Sequence, residues 1–422
     1  MALNIVRRFF KKLGPGFVTG SADDDPSGIA TYSIAGARYG YKLAWMAVFL
    51  WPAMVAIQEM CGRIGMTSGR GLAGVIRKYH SKKLLVATVS LLAVANIINI
   101  GADLGIIAAS MQMVFGLNLF FWLIFTGVAI VVMEILVPYK KYAGILKWLG
   151  LSLVVYVITA FLVKQDWKAV ALNTFIPRIR FDVPYIMTMI GFLGTTISPY
   201  LFFWQAAEEI EEKIAAGTVK DFSCAPKVKP AEIKTMGNDT KWGMLFSNAM
   251  TFFVILTTAA TLNAHGIVDL ETPQQAALAL KPLAGKFAYL LFAVGIIGIG
   301  WQSIPVLAGS LGYAISEAFG FKEGLSKKFK KARIFYVIIA AATLIGLGMN
   351  LLRIDIMKAL YFAAVINGLA GVPLIAIIIS LSDDKRIVGR YKTGKTNRVI
   401  AWITFGFMLL AVLLMVGRMI FR

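Results

Sequence analysis

Long apolar runs separated by short polar loops dominate the chain. A helix needs about 20 mostly apolar residues to cross a bilayer. Eleven stretches meet or approach that length: residues 14–38, 43–64, 84–115, 119–137, 144–163, 185–206, 242–262, 287–319, 334–349, 357–380 and 400–420. The first is the least apolar. The polar segment 208–241 begins EEIEEKIAAG and reads as a solvated helical extension followed by a loop. The pattern predicts an all-α membrane protein.

Composition agrees. Hydrophobic residues make up 58% of the 422 positions and charged residues 15%, with a mean hydropathy of +0.74. Soluble domains carry about 25% charged residues. Lys and Arg outnumber Asp and Glu by 43 to 22. In a soluble chain that excess would suggest nucleic acid. Here the basic residues sit in short loops, the pattern of cytoplasmic loops. With Arg7, Arg8, Lys11 and Lys12 in the cytoplasm, alternate loops carry Arg70 to Lys83, Lys140 and Lys141, Lys322 to Arg333, and Lys385 to Arg398. One missed span would invert this alternation. The opposite loops are poorer in basic residues, although 164–182 is not free of them. The expectation is a multi-pass plasma-membrane protein with a cytoplasmic N-terminus. Its partner would be the lipid bilayer, with no nucleic acid and no obligatory protein partner. The basic start lacks a short apolar core with a small-residue cleavage site, so insertion by internal spans is expected.

Metal chemistry based on Cys or His has little material. Cys61 and Cys224 lack paired spacing, and His80 and His265 fall in loops. The acids are more informative. Residues 20–33 read GSADDDPSGIATYS, with Asp23, Asp24 and Asp25 inside an apolar segment. Each costs about 2.5–3.5 kcal/mol at a helix centre, so they should face a bundle interior or a water-filled cavity. Pro26, Ser27 and Gly28 follow and should break the helix. The sixth stretch contains GFLGTTISPYLFFW, with Pro199 in mid-span. Two interrupted spans at matching places in two halves point to an inverted-repeat transporter with its site at the midplane. The half-helix ending before Asp25 aims its negative end at that site, which favours a cation. Asp103 is a third intramembrane acid. It serves either an ion path or a bonded role within the bundle. Gln302 reads as structural. Asp-rich enzymes of lipid phosphate or prenyl transfer space their acids, whereas these are adjacent, and Asp383 with Asp384 does not supply a second spaced motif. The expectation is therefore a transporter and not an enzyme, with no cofactor. A sodium-coupled carrier of organic solutes shares the architecture, but the aspartates favour a cation as cargo.

These residues also carry a family resemblance. GPGF at 14–17, DPSG at 25–28, IATYSIAGARYGY at 29–41, ANIINIGADLG at 95–105 and GTTISPY at 194–200 resemble the Nramp family of divalent-metal transporters. The resemblance implies a LeuT-like inverted repeat of five plus five helices with helices 1 and 6 broken. Repeat one would cover about 14–164 and repeat two about 184–380. Residues 1–380 would form the transporter core, and 381–422 a cytoplasmic loop and an extra helix. It also implies metal ligands: the Asp25 carboxylate, the backbone carbonyls of Ala22 and Thr195, and a polar residue near Asn367. Asn367 would otherwise serve a helix–helix hydrogen bond.

The sequence departs from the family at informative places. Gly28 stands where the family has a ligand asparagine. Ser198 replaces a methionine and Tyr200 a histidine. Ile106 stands where an acid often follows the residue matched by Asp103. A thioether favours transition metals, while oxygen donors suit Mg²⁺, Ca²⁺ and Mn²⁺. Small residues at Gly28 and Ser198 are expected to widen the site for a partly hydrated ion, with Asp23 and Asp24 as outer acceptors or on the aqueous path. Ser198 is either a ligand or a packing residue. Loss of the histidine and the later acid removes part of a proton route. These departures resemble the Nramp-related magnesium transporters, and imply Mg²⁺ transport with Mn²⁺ as co-substrate and without tight proton coupling. The alternative is an ordinary proton-coupled Mn²⁺/Fe²⁺ importer.

Overall fold

A computed structural model describes residues 14–137, 149–224, 226–352 and 355–420. The basic residues Arg7, Arg8, Lys11, Lys12, Lys140 and Lys141, and the start of the fifth span, lie outside the described residues. Every regular element among the described residues is a helix.

The first span is two helices, α1 (Pro15–Asp23) and α2 (Pro26–Tyr39). Gly40 turns the chain at φ 59°, a conformation that glycine adopts without a Cβ penalty. Then come α3 (Ala44–Ser68), a short helix α4 (Leu72–Tyr79), α5 (Lys82–Phe115), α6 (Leu119–Leu136) and α7 (Val154–Leu162). After α8 (Trp167–Phe175), the sixth span is again two helices, α9 (Val183–Thr196) and α10 (Pro199–Ala215). The remainder is α11 (Pro230–Thr261), α12 (Ala288–Phe319), α13 (Arg333–Met349), α14 (Ile356–Asp383) and α15 (Lys395–Ile420). Nine stretches among the described residues are long and apolar enough to cross a membrane. One of them, Pro26–Ser68, is divided by the Gly40 turn into two spans, and Gly150–Leu162 is a shorter apolar helix. The count agrees with eleven spans.

The polar segment 208–241 is not the solvated extension and loop expected from its composition. Glu208, Glu209 and Glu211 are buried. Glu211 accepts from the Tyr313 hydroxyl at 2.8 Å and from the backbone N–H groups of Leu325 and Ser326 at 2.6 and 3.2 Å. Residues 230–241 are helical and continue into the seventh span. A local reading saw charge and inferred water, whereas tertiary hydrogen bonds take water's place.

The basic loops meet at one end of the bundle. The Tyr79 hydroxyl donates to the Arg386 carbonyl, Arg77 donates to the Glu317 carbonyl, and the Tyr391 hydroxyl donates to the Val228 carbonyl. At the other end, Arg38 pairs with Asp269 and Asn263 donates to the Ala37 carbonyl.

Between these ends α1 lies against α11. A Cβ on Gly16 or Gly20 would strike the backbone of α11 near Thr240 and Gly243. Two glycine-lined helices can approach this closely. The Asp239 carboxylate accepts from the N–H groups of Gly14 and Gly16 at 2.8 and 2.7 Å. It caps the start of α1 and matches its positive end.

Candidate metal site at the two helix breaks

Each break is built the same way: extended residues, then proline at the first helical position, where its missing N–H costs nothing. Asp25 is extended at φ −64°, ψ 169° and caps α2. Its Oδ1 accepts from the Gly28 N–H at 2.7 Å and from the Ser27 hydroxyl at 2.7 Å. Its Oδ2 turns to α5 and accepts from Asn99 Nδ2 at 2.7 Å. The strongest candidate ligand is thus also a helix cap.

At the second break Ser198 caps α10 through its backbone only. Its hydroxyl turns back onto α9 and reaches the carbonyls of Gly194 and Thr195 at 2.9 and 2.8 Å. The Tyr200 hydroxyl donates across the gap to the Ala22 carbonyl at 2.7 Å. The Tyr200 hydroxyl therefore occupies one lone pair of the Ala22 carbonyl, and the single Ser198 proton is shared between the carbonyls of Gly194 and Thr195. A carbonyl oxygen has a second lone pair.

Gly28 does not widen the site. A Cβ there would lie 3.0 Å from Thr195 Oγ1, 3.3 Å from the Tyr32 ring and 3.4 Å from Asp25 Oδ1. The missing side chain lets the two breaks close on each other. The Ser198 hydroxyl folds back onto α9. Sequence alone sees a small residue but not the neighbour that moves in.

Asn367 sits on α14, on the turn between Ala364 and Gly368 that packs against Gly194 of α9. Its side chain is buried, and neither amide atom has a hydrogen-bond partner. Thr195 Oγ1 is likewise buried without a partner. Asp103 lies one turn beyond Asn99 and accepts from the Ser303 hydroxyl of α12 at 3.3 Å, while its Oδ1 has no partner. Asp23 and Asp24 face away from α5, toward Ser247 and Thr251 of α11. Gln302 donates to the Ser21 hydroxyl and ties α12 to α1, consistent with the structural reading.

The sequence reading did not single out Asn99, Ser27, Ser247 or Thr251. Asn99 had a signal: Asn96, Asn99 and Asp103 interrupt an apolar span at helical spacing, on one face. Asn96 proves structural, donating to the Leu307 carbonyl and to Ser310. Ser247 and Thr251 had none, because Ser and Thr are common in membrane helices.

The arrangement brings Asp25, the Ala22 and Thr195 carbonyls, and the hydroxyls of Thr195, Ser198 and Tyr200 to the meeting of four half-helices. Asp25, Ala22, Thr195, Ser198 and Asn367 are all fully buried. Among the described residues no group of three or more His, Cys, Asp or Glu side chains gathers as a resident-metal site would. One buried carboxylate with backbone carbonyls suits transient holding better than permanent chelation. A site at two broken helices, closed from both ends of a helical bundle, defines a membrane transporter of the inverted-repeat class.

Comparison with known proteins agrees. A Mhp1 structure, a nucleobase-cation-symport-1 family transporter, superposes with a TM-score of 0.64 at 12% identity, covering 96% of this chain and 91% of that one. A manganese transporter from Eremococcus coleocola superposes with a TM-score of 0.72 at 17% identity, covering 96% and 86%. The family model described as natural resistance-associated macrophage protein-like matches residues 16–417, and the chain belongs to the Nramp family. Its relatives include divalent metal cation transporters MntH. The one from Caldanaerobacter subterraneus subsp. tengcongensis is 25% identical over 419 residues, covering 96% of this chain and 92% of the relative. The one from Deinococcus radiodurans is 26% identical over 411 residues, covering 94% and 87%.

Proposed function

We propose that this protein moves divalent cations across the plasma membrane by alternating access, with its N-terminus in the cytoplasm. The cargo is Mg²⁺, with Mn²⁺ as co-substrate, and coupling to protons is weak. Repeats at about 14–164 and 184–380 would form the moving core, followed by the extra helix beyond residue 381.

The observation that carries the metal choice is the donor set at the breaks. Asp25, Ala22, Thr195, Ser198 and Tyr200 offer only oxygen, and no thioether or imidazole stands at either break. Oxygen donors favour hard ions, and Mg²⁺ keeps several of its waters. Asp25 supplies the charge, and the freed carbonyls supply neutral ligands. Tyr200 and Ile106 occupy the positions of the histidine and later acid in the family's proton route, which supports weak coupling. Because the ligands are buried, loading and release require a half-helix to move. The nine residues of α1 are the shorter lever.

A second reading has its own support. The named relatives are MntH proteins and one structural neighbour is a manganese transporter. By kinship, a proton-coupled Mn²⁺/Fe²⁺ importer fits better. Flux into proteoliposomes separates the two, with Mg²⁺ and Mn²⁺ tested in turn and a pH dye inside. Mg²⁺ entry without acidification supports the hard-ion carrier. Mn²⁺ entry with acidification and no Mg²⁺ entry returns the protein to the importer.

A further inference from the structure

We infer that the run Asp23-Asp24-Asp25 forms two cation seats, one on each side of the helix break. Asp25 faces α5, and Asp23 with Asp24 holds a second hard cation against Ser247 and Thr251 of α11.

The break itself separates them. Asp23 is the last residue of α1, Asp24 leaves the helix at φ −80°, ψ 54°, and Asp25 is extended. Three adjacent carboxylates therefore do not share a face. Asp25 bonds to Ser27, Gly28 and Asn99. Ser247 Oγ lies 2.8 Å from Asp23 Oδ2 and 3.2 Å from Asp24 Oδ1, and Thr251 Oγ1 lies 3.1 Å from Asp24 Oδ1. The two sets have no hydrogen-bond partner in common. Asp23 and Asp24 are 0% and 1% exposed.

Proton accounting shows what this second set lacks. A hydroxyl carries one proton, so Ser247 can donate to Asp23 or to Asp24 but not to both at once. Thr251 donates to the oxygen of Asp24 that Ser247 also approaches. Asp23 Oδ1 and Asp24 Oδ2 are buried and have no partner. None of the ion pairs among the described residues involves either acid. Buried carboxylate oxygens left without a partner call for a donor or a cation. The polar wall continues with the Tyr32 hydroxyl, 3.0 Å from Thr196 Oγ1 and adjacent to Thr251. Two carboxylates and neighbouring hydroxyls form an oxygen-only set for a hard divalent ion that keeps part of its water.

The inference goes beyond the proposed cargo, because Mn²⁺ is accepted on either reading of the function. It is tested by titrating the purified full chain with Mn²⁺ and following free and bound metal by electron paramagnetic resonance. Two Mn²⁺ per chain are expected, with spin–spin broadening from two ions held close together. Asp23→Asn with Asp24→Asn should leave one Mn²⁺ and no broadening. Asp25→Ala should also leave one. Ser247→Ala with Thr251→Val keeps all three acids and should weaken the second binding event by about tenfold, the loss of hydrogen bonds to charged groups. One Mn²⁺ per wild-type chain overturns the second seat, with a proton then compensating the pair. Loss of all Mn²⁺ in a folded Asp23→Asn/Asp24→Asn variant also overturns it, since the acids would then serve a single site. No Mn²⁺ binding at all by the wild type would instead sink the divalent-cation reading.

Discussion

The two helix breaks restart alike, on Pro26 and on Pro199, but the residue before each proline differs in kind. At the first break a carboxylate caps the new helix and keeps one oxygen turned toward α5. At the second, a neutral hydroxyl caps nothing and turns back to the carbonyls that end the preceding helix. The first break carries the carboxylate that the proposed function assigns to the cation. The second supplies dipoles whose strength depends on whether Ser198 and Tyr200 stay bonded. One backbone device thus yields an anionic half-site and a neutral half-site, with the difference written in single side chains.

The largest effect should come from discharging the first break. Asp25→Ala removes both the charge and the cap. Metal flux in liposomes should fall to background, and loss of the cap should cost about 1 kcal/mol of stability. Asp25→Asn keeps an acceptor for Gly28, so its flux should fall as far while its melting temperature drops less. Equal melting losses would show that the cap needs the charge. Next comes the neutral half-site. Ser198→Met adds a soft donor and removes the bonds to Gly194 and Thr195. Competition between Mn²⁺ and Mg²⁺ should shift toward Mn²⁺ by about tenfold. No shift would show that residue 198 never faces the ion.

A smaller effect is expected at Asn99→Leu, which strips Asp25 Oδ2 of its partner. A hydrogen bond to a charged group contributes about 1.5–3 kcal/mol. The apparent metal affinity should change about tenfold, with the maximal rate less affected. An unchanged affinity would make Asn99 a packing residue.

The smallest effect lies beyond the end of α12, outside the membrane-spanning stretch. Burial pushes the Glu323 carboxyl up to about 10, with the neighbouring Glu317 adding to the shift. Above its ordinary value near 4.5, the folded chain keeps a proton that the unfolded chain has released. Stability should therefore decline as pH rises from about 5 toward 10. Glu323→Gln should raise the melting temperature at pH 8 and change it little at pH 5. Equal effects at both values would remove the titration from the account.

Much of this was legible in the chain. Apolar length gave the spans, and the Asp-Pro-Ser-Gly and Ser-Pro-Tyr sequences gave both breaks. Bilayer thickness and the geometry of proline act locally, so a local pattern records them. The same holds for the buried acids, since three aspartates in an apolar span have nowhere to go but inward. The direction of each acid was not legible. Asp24 and Asp25 are neighbours in sequence, yet one meets Thr251 and the other Asn99, far apart along the chain. Gly28 looked like added room and proved to be a close contact, because Thr195 arrives from the other break. The glutamates after residue 207 looked solvated and are buried, because loop 325–326 brings its N–H groups to Glu211. The sequence by itself determined where the helices are, where they break and that charge lies at a break. Tertiary structure alone decided which oxygen faces which neighbour, because hydrogen bonds and packing across the bundle depend on helices that only folding brings together.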